Sequence, residues 1–265
     1  MIEVRDLRKS FTQGRGRQRR TVMAVDGVNL TAADGRITGL LGPNGAGKTT
    51  TLRIAAGLID ADAGSVCVDG IDVAGHPARA LARMGVLSDA RGLYPRLTAR
   101  ENIAYFGRLQ GLSARQAQDR VQVLARLLDM QPLLDRRTEG FSQGERMKTA
   151  LARALVHDPH NIVLDEPTNG LDVLATRALR DTLRRLRDDE GKCIVFSSHI
   201  MQEVERLCDH VVVVSQGRTV AAGTVQGLKL AAGNEPDFED AFVKLAFAPG
   251  ASTATVTATG TEAVR

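Results

Sequence analysis

The segment that most constrains the fold of this chain is a loop at positions 42–49 with the sequence Gly-Pro-Asn-Gly-Ala-Gly-Lys-Thr. The apolar run Ile37–Leu41 before it predicts a buried strand, and residues 49–56 after it predict a helix. This spacing, between a strand and a helix, is typical of a phosphate-binding loop, because backbone N–H groups and the positive helix end face the anion. The loop therefore predicts an α/β fold with a nucleotide site at one edge of its sheet.

Individual residues of the loop have distinct predicted roles. Lys48 would reach the β- and γ-phosphates of a nucleoside triphosphate, and the Thr49 hydroxyl would ligate Mg²⁺. The other predicted nucleotide-binding residues of the loop are Gly42, Pro43, Asn44, Gly45, Ala46, Gly47 and Thr50. An ordinary glycine-rich turn is the alternative, but the spacing, the lysine, the threonine and the flanking elements all favour phosphate binding.

Length and composition fit a globular protein without a membrane span. The chain has 265 residues, 43% of them hydrophobic, and no run of 18 apolar residues that would predict a transmembrane helix. A net charge of +4 is only mildly basic, so the basic run at 15–20 is better explained as a solvated hairpin tip than as a nucleic-acid site. Three scattered cysteines without metal-ligand spacing predict a reduced, cytosolic protein.

Strand and helix patterns alternate along most of the chain, which predicts a largely parallel sheet. Residues 2–7 and 22–31 alternate as in an antiparallel hairpin, whereas residues 98–158 show only helical periodicity. We therefore expect one domain over residues 1–248, with a helical subdomain inserted at about 89–158. The tail 249–265, rich in Ala, Thr and Gly, is predicted to be disordered.

A second constellation follows the apolar run at 162–164, where Asp165 and Glu166 end a predicted strand. Successive strand residues point to opposite faces, so the two carboxylates are expected to have different roles. Asp165 would hold Mg²⁺, and Glu166 would polarise the attacking water as a general base. Two surface acids at a strand end are the alternative, which the phosphate-binding loop at the same sheet edge disfavours.

A third constellation pairs Ser142 with Glu145, which predicts a capping box at the start of a helix. A helix N-terminus that carries a hydroxyl and, at Gly144, a glycine is also a candidate anion site. One nucleotide loop and two candidate phosphate-binding helix ends suggest a head-to-tail homodimer. Each nucleotide would then lie between the loop of one copy and Ser142 of the other.

These motifs resemble those of the ATP-binding subunits of ABC transporters, over nearly the whole chain up to about Phe247. Five motifs occur in the family's order: residues 42–49 (Walker A), 141–145 (signature), 162–166 (Walker B), 169–172 (D-loop) and His199 (switch histidine). The resemblance implies a P-loop NTPase core, with ATP and Mg²⁺ as cofactors. It also implies that His199 contacts the γ-phosphate, that Asp172 lies at the dimer seam and that Phe11 stacks on adenine.

Two motifs depart from the family pattern. Ser88 and Asp89 stand where the family commonly has a glutamine, and Asp89 would still bind Mg²⁺ through water. The signature has Gln143 and Glu145 where the family's commonest form has glycine and glutamine. The Glu145 carboxylate would repel a γ-phosphate unless it faces back into the capping box. We predict the capping role for Glu145.

The resemblance further implies partners and a location. It implies a second copy of the chain, and an integral membrane permease subunit held near residues 94–106, at the cytoplasmic face of the membrane. Segments 93–102, 169–172 and 239–246 are similar to the sodium-efflux type of exporter, with Na⁺ as the candidate cargo. Direct nucleic-acid binding is not expected. The alternatives are a soluble ATPase of the same superfamily that acts on ribosomes or nucleic acid, and a regulatory nucleotide-binding module without catalysis.

Overall fold

The computed structural model describes residues 1–14, 19–88 and 92–247 of the chain. The strands are β1 (Ile2–Gln13), β2 (Arg20–Ala32), β3 (Ile37–Leu41), β4 (Ala63–Val68), β5 (Ile71–Asp72), β6 (Met84–Leu87), β7 (Asn161–Asp165), β8 (Cys193–Ser198), β9 (His210–Ser215) and β10 (Arg218–Gly223). The α-helices are α1 (Lys48–Ala55), α2 (Pro77–Leu81), α3 (Ala99–Leu109), α4 (Ala114–Leu127), α5 (Gln143–Leu155), α6 (Val173–Asp188), α7 (Met201–Leu207), α8 (Val225–Ala231) and α9 (Phe238–Phe247). Asp89 and the tail 249–265 lie outside the described residues.

The central sheet has the strand order β10-β9-β3-β8-β7-β6. Strands β9, β3, β8, β7 and β6 pair in parallel, and β10 pairs antiparallel with β9 at one edge. Every residue of β3, β7 and β8 is buried, as expected for parallel strands that are covered on both faces. The predicted α/β architecture with a mostly parallel sheet is confirmed.

A second sheet covers one face of the central sheet. It has the order β2-β1-β4-β5, and all of its pairings are antiparallel. The predicted hairpin of β1 and β2 is confirmed, but β1 continues well beyond residues 2–7, whereas β2 is only slightly longer than 22–31. The extension of β1 pairs Phe11 with Val22 at the far end of the hairpin.

Side chains from the two faces of β3 enter two separate cores, as strand alternation requires. Leu40 packs with α1, β1 and β4, while Ile37 and Leu41 pack with the helices on the opposite face. The residues that follow β3, β7 and β8 are therefore held by strands that are buried on both faces.

The segment predicted to be helical contains α3, α4 and α5 within the described part of the chain. Each of these helices begins with a complete capping box, at Thr98, Ser113 and Ser142 respectively. Their apolar faces join the same core as Ile37 and Leu41, so the helices pack on the central sheet. The subdomain boundaries at about 89 and 158 stay a prediction.

Three elements were not predicted from the sequence: β5, β10 and α8. β10 has the sequence Arg-Thr-Val-Ala-Ala-Gly, whose small residues give weak strand propensity, and it forms only by pairing at the sheet edge.

Among the described residues, none of the helices is both long and apolar enough to cross a membrane.

Candidate nucleotide-binding and catalytic site

The phosphate-binding loop connects β3 to α1, as the sequence predicts. Gly47 occupies the N-cap position of α1 with a left-handed φ of 101°, and a Cβ there would lie 2.5 Å from the Ala24 carbonyl oxygen. A Cβ at Gly42 would lie 2.2 Å from the Val214 carbonyl oxygen. The loop therefore requires glycine at both positions, because the chain packs tightly against β2 and β9.

The N-terminus of α1 has neither a side-chain cap nor an acidic residue in its first turn. By contrast, α5 has both, in Ser142 and Glu145. Uncapped backbone N–H groups and the helix dipole favour an anion at this end of α1.

The ammonium group of Lys48 lies in the concave side of the loop. It is 5% exposed, and it donates to the carbonyl oxygens of Gly42 at 2.7 Å and Pro43 at 3.3 Å. Its third close partner is Glu166, with 3.2 Å between Nζ and Oε1. Lys48 thus joins the loop to the carboxylate that follows β7.

Asp165 is the last residue of β7, and its buried carboxylate faces the loop. Its Oδ1 accepts hydrogen bonds from the Thr49 hydroxyl at 3.1 Å and from the Ser197 hydroxyl at 2.8 Å. Ser197 lies beside Asp165 because β7 and β8 pair in that register. Two of the predicted metal ligands, Thr49 and Asp165, therefore meet directly.

The carboxylates of Asp165 and Glu166 point to different places, as predicted, but strand alternation is not the cause. The strand ends at Asp165, and Glu166 adopts a left-handed backbone with a φ of 47°. Its backbone N–H donates to the Ser197 hydroxyl at 2.9 Å. This turn, rather than a continued strand, directs the two carboxylates to different places.

His199 follows β8 and contacts the same carboxylate. Its Nδ1 lies 2.8 Å from Glu166 Oε2, and Glu166 is mostly buried while His199 is 40% exposed. Because a carboxylate only accepts hydrogen bonds, Nδ1 carries the proton in this contact. Both oxygens of Glu166 are thus engaged, Oε1 by Lys48 and Oε2 by His199.

Lys48, Thr49, Glu166 and His199 line one open cleft of about 460 Å³. Its residues are Phe11, Val22, Ala24, Asn44, Gly45, Ala46, Gly47, Lys48, Thr49, Thr50, Glu166, Asn169 and His199. Phe11 is 39% exposed at the hairpin end of the cleft, and the ammonium of Lys9 lies 5.7 Å from the centre of its ring.

Ser142, Gly144 and Asp172 do not line this cleft. Ser142 is exposed at the start of α5, and Asp172 is exposed as the N-cap of α6, where its carboxylate accepts from the Ala175 N–H at 2.8 Å. Within one copy of the chain, the signature residues and the phosphate-binding loop therefore belong to different surfaces.

Glu145 faces into the capping box, which confirms the sequence prediction. Its carboxylate accepts from the Ser142 backbone N–H at 2.8 Å and forms an ion pair with Arg136 at 2.8 Å. The Ser142 N–H, followed by the Arg136 guanidinium, holds the pKa of Glu145 below its ordinary value. The negative charge of the Glu145 carboxylate is therefore already balanced by the Ser142 N–H and the Arg136 guanidinium.

Sequence reasoning missed several residues of the site, above all Ser197. Its position at the carboxyl end of a strand, two residues before His199, was the available signal, since neighbouring parallel strands end at one sheet edge. Val22 and Ala24 lie within the predicted strand 22–31, and the sequence carries no signal that they line the cleft. Asn169 was noted only as part of the D-loop, although it also lines the cleft.

Comparisons with known proteins agree with this geometry. The sequence model of the family described as ABC transporter matches residues 25–169. The chain belongs to the ABC transporter family. It is an ATP-binding, ATP-hydrolysing enzyme of this family, which confirms the family prediction.

Relatives match over most of the chain. It is 42% identical over 229 residues to the ABC transporter ATP-binding protein NatA of Bacillus subtilis, covering 86% of this chain and 91% of NatA. It is 41% identical over 206 residues to the Nod factor export ATP-binding protein I of Burkholderia lata, covering 78% and 67% respectively.

Solved structures share the fold. The ATP-binding subunit of an ABC transporter superposes with a TM-score of 0.78 and 28% identity, over 92% of this chain and 98% of that one. A dimeric ATP-binding cassette in a post-hydrolysis state with ADP and Pi superposes with a TM-score of 0.76 and 22% identity, over 84% and 98%. The second likeness concerns the fold alone.

Proposed function

We propose that this ABC transporter subunit powers an exporter, in which two copies close on Mg-ATP and drive a separate membrane protein. The observation that carries the proposal is the convergence of Lys48, Glu166 and His199 in the cleft that also holds the phosphate-binding loop. The names of the relatives, which include a Nod factor export protein, support an export role.

The cleft presents groups that would bind the two ends of ATP. Its phosphate end combines the uncapped N-terminus of α1 with the ammonium of Lys48. Its other end presents the exposed ring of Phe11 beside Val22, and stacking of adenine on this ring would contribute about 1 kcal/mol beyond burial.

The residues present also fit Mg²⁺, which is a hard cation that prefers oxygen ligands. The Thr49 hydroxyl and the Asp165 carboxylate lie 3.1 Å apart, and Ser197 holds the carboxylate in place. No group of three or more acidic, histidine or cysteine side chains that could hold a metal is found within the described residues. That suits Mg²⁺, which is usually bound through one or two carboxylates together with substrate phosphates. Bound with ATP, it would neutralise charge on the β- and γ-phosphates.

Glu166 is the proposed general base, because it is the mostly buried carboxylate beside the phosphate-binding lysine. On ATP binding, Lys48 would move from Glu166 to the phosphates, which frees Oε1 to accept a proton from the attacking water. His199 holds Oε2 through Nδ1 and would use its second ring nitrogen for the γ-phosphate.

A second copy would complete the site. Ser142, Gly144 and Asp172 lie outside the cleft of their own chain and are free to face the nucleotide of a partner. Val173 and Leu174, next to Asp172, are 82% and 77% exposed, which supports a surface that becomes covered on dimerisation. The dimeric cassette structure offers a precedent in the same fold.

The membrane partner would bind near the aromatic cluster of Tyr94, Tyr105 and Phe106. Tyr94 and Tyr105 are 46% and 44% exposed, and their rings meet edge to face with 5.6 Å between centroids. Exposed aromatic side chains are enriched at the centres of protein interfaces. The subunit would then sit at the cytoplasmic face of the membrane, and Na⁺ is the candidate cargo from the sequence resemblance.

The catalytic proposal is tested with Glu166→Gln. The variant is expected to keep nucleotide binding and to lose at least about a hundredfold in kcat, given typical general-base contributions. Glu205→Gln is the matched control, because Glu205 pairs with Lys229 away from the cleft and its loss should leave hydrolysis unchanged. Near-normal hydrolysis by Glu166→Gln would refute the role of Glu166.

The transporter proposal is tested by pull-down of the tagged chain from detergent-solubilised native membranes. A multi-span membrane protein recovered in stoichiometric amount is the expected result. Recovery of ribosomes or nucleic acid instead would favour the soluble ATPase.

A further inference from the structure

A small cavity lies between the loop that follows β7, helices α6 and α7, and strand β8. Thr168 from the loop after β7, Arg180 from α6 and Glu203 from α7 line it together with the ring of Phe196 on β8. It is separate from the nucleotide cleft, with which it shares no lining residue.

Three of the residues that line this cavity each have a buried polar atom without a hydrogen-bond partner among the described residues. These atoms are Thr168 Oγ1, Arg180 Nε and Glu203 Oε2. Thr168 as a residue is only 7% exposed. Buried polar atoms are nearly always paired, so three unpaired atoms around one cavity indicate an occupant that bonds to all of them.

Volume and hydrogen-bond chemistry define the occupant. The cavity measures about 10 Å³, which is close to the room that one water molecule needs. A water molecule can accept from the Arg180 N–H, donate to the Glu203 carboxylate and bond to the Thr168 hydroxyl in either direction. An anion would be repelled by Glu203 and a cation would be repelled by Arg180, whereas a neutral water molecule can bind to both side chains.

We propose that this cavity holds one ordered water that positions the catalytic groups, a role that rests on the proposed function of Glu166 and His199. Thr168 lies two residues after Glu166, and α7 begins two residues after His199. Arg180 belongs to α6, whose N-cap is Asp172. The water thus joins the base loop, the histidine and the proposed dimer seam. Thr168 is a positioning residue, since it acts through Glu166.

The site itself is tested by a crystal structure of the purified chain at a resolution that shows ordered waters. The expected result is density for one water within hydrogen-bond distance of Thr168 Oγ1, Arg180 Nε and Glu203 Oε2. A dry cavity, or direct hydrogen bonds among these three side chains, would overturn the proposal.

The positioning role is tested by substitution at Thr168. Thr168→Val keeps the shape and removes the hydroxyl, and it should lower kcat by about tenfold with KM nearly unchanged, less than the roughly hundredfold loss for a 1 Å misplacement. Thr168→Ser retains the hydroxyl and should restore most of the rate.

Thr182→Val is the matched control, because Thr182 is a buried threonine on α6 whose hydroxyl already donates to the Ala178 carbonyl at 2.9 Å. It should not change kcat. Equal kcat for Thr168→Val and wild type, or an equal loss in the control, contradicts the positioning role. The proposed function and the water site have independent tests. Near-normal hydrolysis by Glu166→Gln would refute the proposed role of Glu166, whereas the crystal structure would still show whether the water is present.

Discussion

Ser197 offers the sharpest test of how the site is held, because Ser198 beside it is a natural control. Both serines are fully buried at the end of β8. The Ser197 hydroxyl donates to the Asp165 carboxylate at 2.8 Å and accepts the Glu166 N–H at 2.9 Å. The Ser198 hydroxyl accepts one N–H, from Ile200 at 3.0 Å.

The two alanine variants should differ in stability by an amount that follows from these bonds. Ser197→Ala removes a buried hydrogen bond to a charged group as well as the partner of the Glu166 N–H, a loss of about 3 kcal/mol in the free energy of unfolding. Ser198→Ala removes one neutral hydrogen bond, which costs about 1 kcal/mol. At about 2–4 °C per kcal/mol for a domain of this size, Tm should be lower by a further 4 to 8 °C or so in Ser197→Ala.

Thermal unfolding followed by calorimetry measures this difference directly, with wild type and both variants in the same buffer. The kcat of Ser197→Ala should also fall, because Asp165 and Glu166 share this one anchor. Equal losses of Tm in the two variants would refute the claim that the Ser197 hydroxyl contributes more to the free energy of unfolding than the Ser198 hydroxyl does.

Two further predictions concern nucleotide binding and pH. Lys48→Ala should retain the fold but lose most affinity for a fluorescent ATP analogue in a titration, and unchanged affinity would count against the loop assignment. Burial lowers the pKa of His157, whose Nε2 lies 3.1 Å from the Met84 carbonyl oxygen, so the unfolded chain binds more protons and stability falls as the pH drops below about 6.5. His157→Gln should reduce the fall in urea midpoint between about pH 7 and about pH 5, with a residual slope from His210, whose pKa burial also lowers. A slope identical to that of wild type would contradict this reasoning.

Much of the fold could be predicted because its signals are local. A fully apolar run such as β3 followed by a glycine-rich loop specifies strand, turn and helix within about twenty residues of sequence. The capping box of Ser142 and Glu145 likewise predicts the start of α5, where the helix is found. The edge strand β10 lacks such a signal, because its pairing with β9 rather than its own composition makes it a strand.

The residues that we propose as catalytic stand in motifs with characteristic spacing, whereas the contacts that position them could not be predicted. Asp165, Glu166 and Lys48 stand in recognisable patterns, but the hydroxyl that joins the two carboxylates comes from a strand thirty residues further along the chain. Only the parallel register of β7 and β8 brings it there. The left-handed turn at Glu166 is similarly invisible in the sequence, since a glutamate rarely adopts a positive φ.

That turn is informative because it has an energetic cost, of about 1–3 kcal/mol for a residue in a sparsely populated backbone region. Several contacts hold Glu166 in it: the Ser197 hydroxyl at its N–H, Lys48 at Oε1 and His199 at Oε2. Lys48 and His199, which contact the carboxylate oxygens, are also the groups that the proposed mechanism assigns to the phosphates. Nucleotide binding would therefore free Oε1 as it draws Lys48 to the phosphates, while His199 keeps Oε2 and Ser197 keeps the backbone N–H. On this proposal, the base becomes available only when the substrate is in place.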